Sequence, residues 1–302
     1  MPAQVIQSNT TPFQDVTVDP VTLDIIENAL RNARTEMDAV LFRTAMSPGI
    51  REQHDAFPMI ANHEGKMVVG QFGSFFWGFQ QGYDGTIEEG DVFLTNDPYT
   101  CNGAISHLND WLMMMPIYID GRLVSWAAMF GHMTDIGGKV PGSLPTDAAQ
   151  VFEEGIQVPP VKIIRKGELN KEILELILRN CRLPDWNRSD FNAIVAALRL
   201  AERRVLEMAE RFGVEEFVAA MVEMLDRNKR AMGSILNMVV PETKQHFVDY
   251  IDDDGMGMGP YKIKCTMWRE GDVAIFDFDG TDPQAQSSVN FYLNEDMFKM
   301  FF

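Results

Sequence analysis

Cysteine is scarce in this chain. Cys101, Cys181 and Cys265 are the only three, they lie far apart, and they form no C-x-x-C pair. Neither a disulfide framework nor a thiolate zinc site is expected from them. An odd count with no secretory leader points to reduced thiols and a cytoplasmic protein. The first residues, MPAQVIQSNTTPFQDV, have no basic n-region and no apolar h-region, so no signal peptide is expected. No apolar run reaches the roughly 18 residues that would suggest a membrane span. Positive charge is short as well: 26 Lys and Arg stand against 44 Asp and Glu, a net charge of −18. With no basic stripe to neutralise phosphates, nucleic acid is not an expected partner. The acidity suits solubility, cations or a basic partner surface. GxxxxGK[ST], GxGxxG after a strand and G-x-S-x-G are all missing. No ATP-binding loop and no serine nucleophile elbow are expected in this chain.

What is present fills 302 residues, 46% of them hydrophobic, enough for about two domains or one large α+β unit. Residues 1–18 read as an irregular arm. Residues 20–46 read as a long amphipathic helix, with Asp19 as N-cap and Pro20 at N1. Leu23, Ile26, Leu30, Met37, Val40 and Leu41 form its apolar stripe, and Ser47-Pro48-Gly49 ends it. From 56 to 130 the pattern changes to short strands. FPMIANHEGKMVVGQ reads as a hairpin whose turn, His63 to Lys66, leaves His63 solvated. GDVFLTND reads as a strand, and DWLMMMPIYIDGRLVSWAAMFG as strand, Asp120-Gly121 turn and strand. Residues 137–160 are rich in Gly and Pro and form a long irregular loop, a common place for function. Helical periodicity returns over 169–240, with Ser189 and Gly213 bracketing the middle helix. Strands follow from 245. The Asp252-Asp253-Asp254-Gly255 run lacks EF-hand spacing and reads as an acidic turn. The expected fold is α+β, with mixed or antiparallel sheets, an N-terminal helix and a central helical segment. The expected organisation is an arm (1–18), a metal-bearing α+β region (19–168), a helical segment (169–240) and a β-rich region (241–302). The apolar ending, NFYLNEDMFKMFF, suggests a truncated chain or an end covered by a partner.

Five histidines occur, and two of them open an H-x-x-D: His107 with Asp110, and His132 with Asp135. The hairpin over 111–130 brings both segments to one end of a sheet. Imidazole and carboxylate together suit Zn, Mn or Fe(II). The plain alternative is that each Asp caps a turn and each His satisfies a carbonyl. Asp135, ahead of Ile136-Gly137-Gly138, reads as a turn residue or as the orienter of a histidine. Asp55 follows His54 at a strand entry and is weak by itself. His246 has no acidic partner at a telling spacing. Cys101 reads as a packed thiol, and the Met113–Met115 run as gap-filling core.

These strings resemble one family. NDPY, then SHLND, then HMTDIGG, then PGSLPTDA and EEGIQVPPVK are similar to the NDPYxGGTHLPD and HHADIGGxxPGS patterns of the hydantoinase B/oxoprolinase family, over about 20 to 302. Within it, FGHMTDIGG and the last stretch look most like the large, metal-bearing subunits of acetone carboxylases. The resemblance implies metal ligands at Asp55, His107, Asp110 and His132, with Asp135 behind them. It implies a divalent metal, Mn first, with Zn or Fe as alternatives. It also implies a hydantoinase A-like partner that binds the ATP, and a third small subunit in a carboxylase. The implied activity is ATP-dependent carboxylation of a small ketone, acetone to acetoacetate with bicarbonate. The alternatives are an ATP-dependent amidohydrolase of the N-methylhydantoinase or 5-oxoprolinase type, and a non-catalytic structural subunit. Glu153 and Glu154 are the candidates for proton transfer. Two departures stand out: SHLND replaces THLPD, and Met133 replaces the second histidine of HH. The second leans away from amide hydrolysis.

Overall fold

Asp19 and Pro20 begin the first helix in the computed structural model, which describes residues 13–14, 16–70, 75–290 and 292. The Asp19 carboxylate accepts from the amides of Val21 and Thr22 at 3.0 and 3.1 Å, satisfying two of the otherwise unpaired first-turn donors. This helix, α1 (Pro20–Thr44), buries Leu23, Ile26, Leu30, Ala33, Met37 and Leu41, a helical stripe. Val40 is only half-buried. The helix stops at Thr44, and a second short helix, α2 (Pro48–Arg51), follows where only a helix end was expected.

The expected hairpin is formed by β1 (Ala56–Asn62) and β2 (Met67–Val69). Asn62 closes its turn by accepting from the amides of Glu64 and Lys66. His63 corrects the expectation of a solvated residue. It is half-buried, its ring lies 5.0 Å from that of Phe13, and its Nδ1 is buried without a hydrogen bond.

A helix, α3 (Phe75–Gly82), interrupts the stretch read as strands alone. Strands β3 (Val92–Thr95), β4 (Asp110–Ile119) and β5 (Arg122–His132) follow, then β6 (Val161–Arg165) and β7 (Glu168–Leu169). The seven strands pair antiparallel in the order β2-β1-β5-β4-β3-β6-β7. β4 and β5 sit in the middle and are buried almost throughout. One face carries Leu112, Met114, Trp126, Ala128 and Phe130, packed with Phe75, Phe76, Phe79 and Phe93. The other is covered by α5 (Pro184–Phe212), with α1 packed beside it. Burial on both faces explains why the Met113–Met115 run does not alternate with polar residues.

Helix α4 (Lys171–Arg179) precedes α5, and α6 (Val214–Val239) follows it. Gly213, at φ 91°, ends α5 as expected. Its start differs: Pro184 occupies the first turn, and Ser189 lies inside the helix, donating to Thr44 O at 3.4 Å. Proline with φ preset for a helix outcompetes the later serine as the starting signal.

The chain forms two compact units, one of residues 1–144, 154–223 and 292–302, the other of 145–153 and 224–291. The seven-stranded sheet belongs to the first. The second contains an antiparallel sheet of β8 (Gln245–Ile251), β9 (Tyr261–Glu270) and β10 (Val273–Asp277), in the order β10-β9-β8. Its acidic turn is held by Asp254, which accepts from the amides of Met256 and Met258 and from Tyr261 Oη. Residues 1–12 of the N-terminal arm and 293–302 of the apolar ending lie outside the described residues. Among the described residues no helix is long and apolar enough to cross a membrane.

Candidate functional site

The β4–β5 hairpin brings His107, Asp110 and His132 together, but not Asp135. Asp110 opens β4, His132 closes β5, and the two are register partners. His107 sits one turn ahead, with its carbonyl accepting from the Asp110 amide at 3.4 Å. The three side chains converge: Asp110 Oδ1 lies 3.2 Å from both His107 Nε2 and His132 Nδ1, and the two ring nitrogens are 3.1 Å apart. Among the described residues, these are the three whose ligand atoms gather within 4.8 Å of one another. Asp55 is the outlying fourth, with Oδ2 at 3.5 Å from His132 Nδ1. It arrives by a long-range route, since Ala56 of β1 pairs with Gly131 of β5 and His132 N donates to Asp55 O at 3.1 Å.

The donor set fits a divalent cation. Ligand atoms about 2.0–2.2 Å from one ion stand roughly 3 to 3.5 Å apart, which is the spacing found between these atoms. Ser106 Oγ lies 2.9 Å from His107 Nδ1 and fixes the ring so that Nε2 faces the cluster. The side chain of Asp110 is 8% exposed, that of His107 36% and that of Asp55 41%. Asp110 is thus the buried member of the cluster, while His107 and Asp55 face solvent. Burial alone would push the Asp110 carboxyl up. Bonds from His107 and His132 outweigh it, and the group lies below the usual carboxylate range. For His107 burial acts downward, but Asp110, Asp55 and Glu154 win and raise it. Burial and the Asp110 charge raise Asp55. The Asp110, Asp55 and Glu154 charges acting on His107 make a negative field at the cluster, which attracts cations.

The other sequence candidates separate. The Asp135 carboxylate accepts from the amides of Gly137, Gly142 and Arg182 and from the Arg182 guanidinium, at 2.9 to 3.4 Å. Arg182 also reaches the carbonyls of Gly137, Gly138 and Val140. Asp135 thus organises the loop that follows His132. Glu153 Oε1 accepts from the amides of Ala149 and Gln150, while Glu154 acts electrostatically on His107. Cys101 is fully buried, its pKa pushed up to about 12 by that burial, so it stays a thiol. Asn96 of NDPY donates to Leu108 O and Ile156 O and accepts from Val158 N, tying the His107 loop to the 156–158 segment. Met133 is fully buried and has no proton to exchange. Sequence reading missed Ser47, Arg182, Asn187 and Asp190, all of which bond to the segments around the cluster. No local spacing links them to it.

The sequence pattern of hydantoinase B/oxoprolinase matches residues 19–301. The chain belongs to the hydantoinase B/oxoprolinase family. The beta subunit of caprolactamase from Pseudomonas jessenii is 33% identical over 285 residues, covering 91% of this chain and 48% of that protein. The crystal structure of ATP-dependent caprolactamase from the same organism superposes with a TM-score of 0.80 at 30% identity, over 90% of this chain and 48% of that one. The nucleotide-free structure of acetone carboxylase superposes with a TM-score of 0.79 at 17% identity, over 87% of this chain and 37% of that one, a likeness of fold alone. The hydantoinase B-type chain thus spans about half the length of the caprolactamase beta subunit. The expected α+β class, with antiparallel sheets, is the observed one.

Proposed function

We propose that this chain is the metal-bearing part of an ATP-dependent enzyme acting on a small carbonyl compound, and that a hydantoinase A-like partner supplies the ATP site. The convergence of His107 Nε2, Asp110 Oδ1 and His132 Nδ1, with Asp55 beside them, carries this reading. Oxygen and imidazole donors without thiolate suit manganese, zinc or iron(II) alike, and the family resemblance puts manganese first. A divalent ion held there supplies Lewis-acid polarisation of a carbonyl or phosphoryl oxygen, or an acidified water. The chain's own residues do the rest. Asp110 holds a buried negative charge against both imidazoles. Ser106 sets the His107 ring, and Asp55 and His107 face solvent. The negative charge of Glu154 acts on His107 and makes it the candidate for proton transfer there.

The substrate we favour is a cyclic amide activated by phosphorylation, because caprolactamase is the relative with 33% identity. A second reading, carboxylation of a small ketone with bicarbonate, draws on Met133, which stands where the family's HHADIGG pattern has its second histidine and offers no acid–base group there. In that reading a third small subunit joins the assembly.

Metal analysis of the purified chain beside a His107→Ala/His132→Ala variant tests the site. Near-stoichiometric Mn, Zn or Fe that disappears in the variant is the expected outcome. A folded wild-type chain that takes up none of them after supplementation would sink the metal reading and leave a structural subunit. With the ATP-binding partner added, phosphate release is then compared for ε-caprolactam, 5-oxoproline, and acetone with bicarbonate. Turnover of a lactam selects the first reading, and bicarbonate-dependent turnover of acetone selects the second.

A further inference from the structure

Asp190 is a fully buried carboxylate on α5, and its bonds go to the stretch between α1 and α2. Its Oδ1 accepts from Met46 N at 2.5 Å, and Oδ2 accepts from Ser47 N at 3.2 Å. Ser47, also fully buried, does not use its hydroxyl to cap α2. The hydroxyl oxygen accepts instead from Thr134 N at 3.2 Å, two residues past His132. On the other side of α2, Gly49 O accepts from Asp55 N at 2.9 Å, and Asp55 O accepts from His132 N at 3.1 Å. The bonds close a ring: Ser47, α2, Asp55, His132, Thr134 and back to Ser47, with Asp190 pinning it to α5. Gly49 also lies flat against His132, where an added Cβ would stand 3.4 Å from the ring.

Packing between α1 and α5 does not need this carboxylate. Leu23, Ile26, Leu30, Met37 and Leu41 already bury one helix, and Phe191, Ile194, Leu198 and Val205 the other. Burial raises the Asp190 pKa against the Ser47 and Met46 bonds that lower it, so an ionisable group is kept here at a desolvation cost an apolar residue would avoid. Its partners tie together the two backbone segments that present Asp55 and His132. We propose that Asp190 and Ser47 are positioning residues that set the separation of Asp55 and His132 for metal binding. This rests on the metal reading above.

The test uses the 302-residue chain, with Mn2+ as the probe. Asp190→Asn and Ser47→Ala are each expected to raise the Mn2+ dissociation constant about tenfold or more, the size of loss seen for groups that orient metal ligands. They are also expected to speed amide exchange at His132 and Thr134 in the metal-free chain. Leu198→Ala, a buried core truncation on the same helix, is the control. It should lower thermal stability while leaving Mn2+ affinity and those two amides close to wild type. Unchanged affinity and unchanged exchange in both test variants would overturn the proposal. Equal loss of affinity in Leu198→Ala would overturn it too, by assigning the effect to general destabilisation. If the wild-type chain binds no Mn2+, the metal reading falls, and the two amides still decide whether Asp190 and Ser47 fix this geometry.

Discussion

Asp135 shows how one residue is read differently by spacing and by geometry. Its place in H-x-x-D resembled that of Asp110, yet its carboxylate is spent on three amides and the Arg182 guanidinium. Burial would raise its pKa, and those bonds lower it below the ordinary value. A depressed carboxylate adds stability above its unfolded pKa of about 3.9, and that contribution is lost as pH falls through the lower folded value. Asp135→Asn is therefore expected to cost about 2 kcal/mol at pH 7, the scale of charge-assisted hydrogen bonds. The gap to wild type should narrow below about pH 4 in denaturant titrations. An equal gap at pH 7 and at pH 3 would show that the negative charge contributes nothing. His63 was misjudged for a related reason: the ring of Phe13 that covers it is remote in sequence.

At the scale of elements, legibility followed the range of the interaction that decides each one. Helix α1 and the β4–β5 hairpin were readable because Asp19, Pro20 and the Asp120-Gly121 turn are local signals. The convergence of His107, Asp110 and His132 came with the hairpin. Asp55 needed the family resemblance, because its approach depends on β1 pairing with β5 across about 75 residues of chain. Helix α3 escaped because FFWGFQQG is aromatic and carries two glycines that are poor helix formers. Those glycines have a packing reason. A Cβ on Gly78 would lie 1.9 Å from Cys101 O, and one on Gly82 would lie 2.1 Å from Thr100 O. Helix and turn lie flush, and the turn leads on to His107. Gly78→Ala should push the turn off the helix, costing about 3 kcal/mol as an overpacked contact and weakening metal uptake through His107. Gly121→Ala meets nothing within 4 Å but sits at φ 74°, so left-handed strain of about 1 kcal/mol is its expected cost. Thermal denaturation of the pair separates the cases. Equal losses would mean that the α3 contact yields freely.

At the scale of the molecule, all four proposed ligands fall in one of the two compact units, the one built on residues 1–144, 154–223 and 292–302. The other unit, residues 145–153 and 224–291, carries none of them, and its strand β8 is exposed along nearly its whole length. A ligand stabilises the cooperative unit that binds it, by about 2.7 kcal/mol when it is present at a hundred times its dissociation constant. Calorimetry of the metal-free chain should then resolve two transitions. Added Mn2+ should raise the one whose melting exposes Trp111 and Trp126, both fully buried in the sheet core, and leave the other in place. Amide exchange offers the same distinction by residue. Protection gained on adding Mn2+ should appear in β4, β5 and α2 and be missing from β8, β9 and β10. If Mn2+ raised both transitions equally, the assignment of the ion to the first unit alone would fail. If neither moved while Mn2+ stayed bound, the ion would bind the unfolded chain as tightly as the folded one, which a site gathered from Asp55, the His107–Asp110 turn and His132 does not allow.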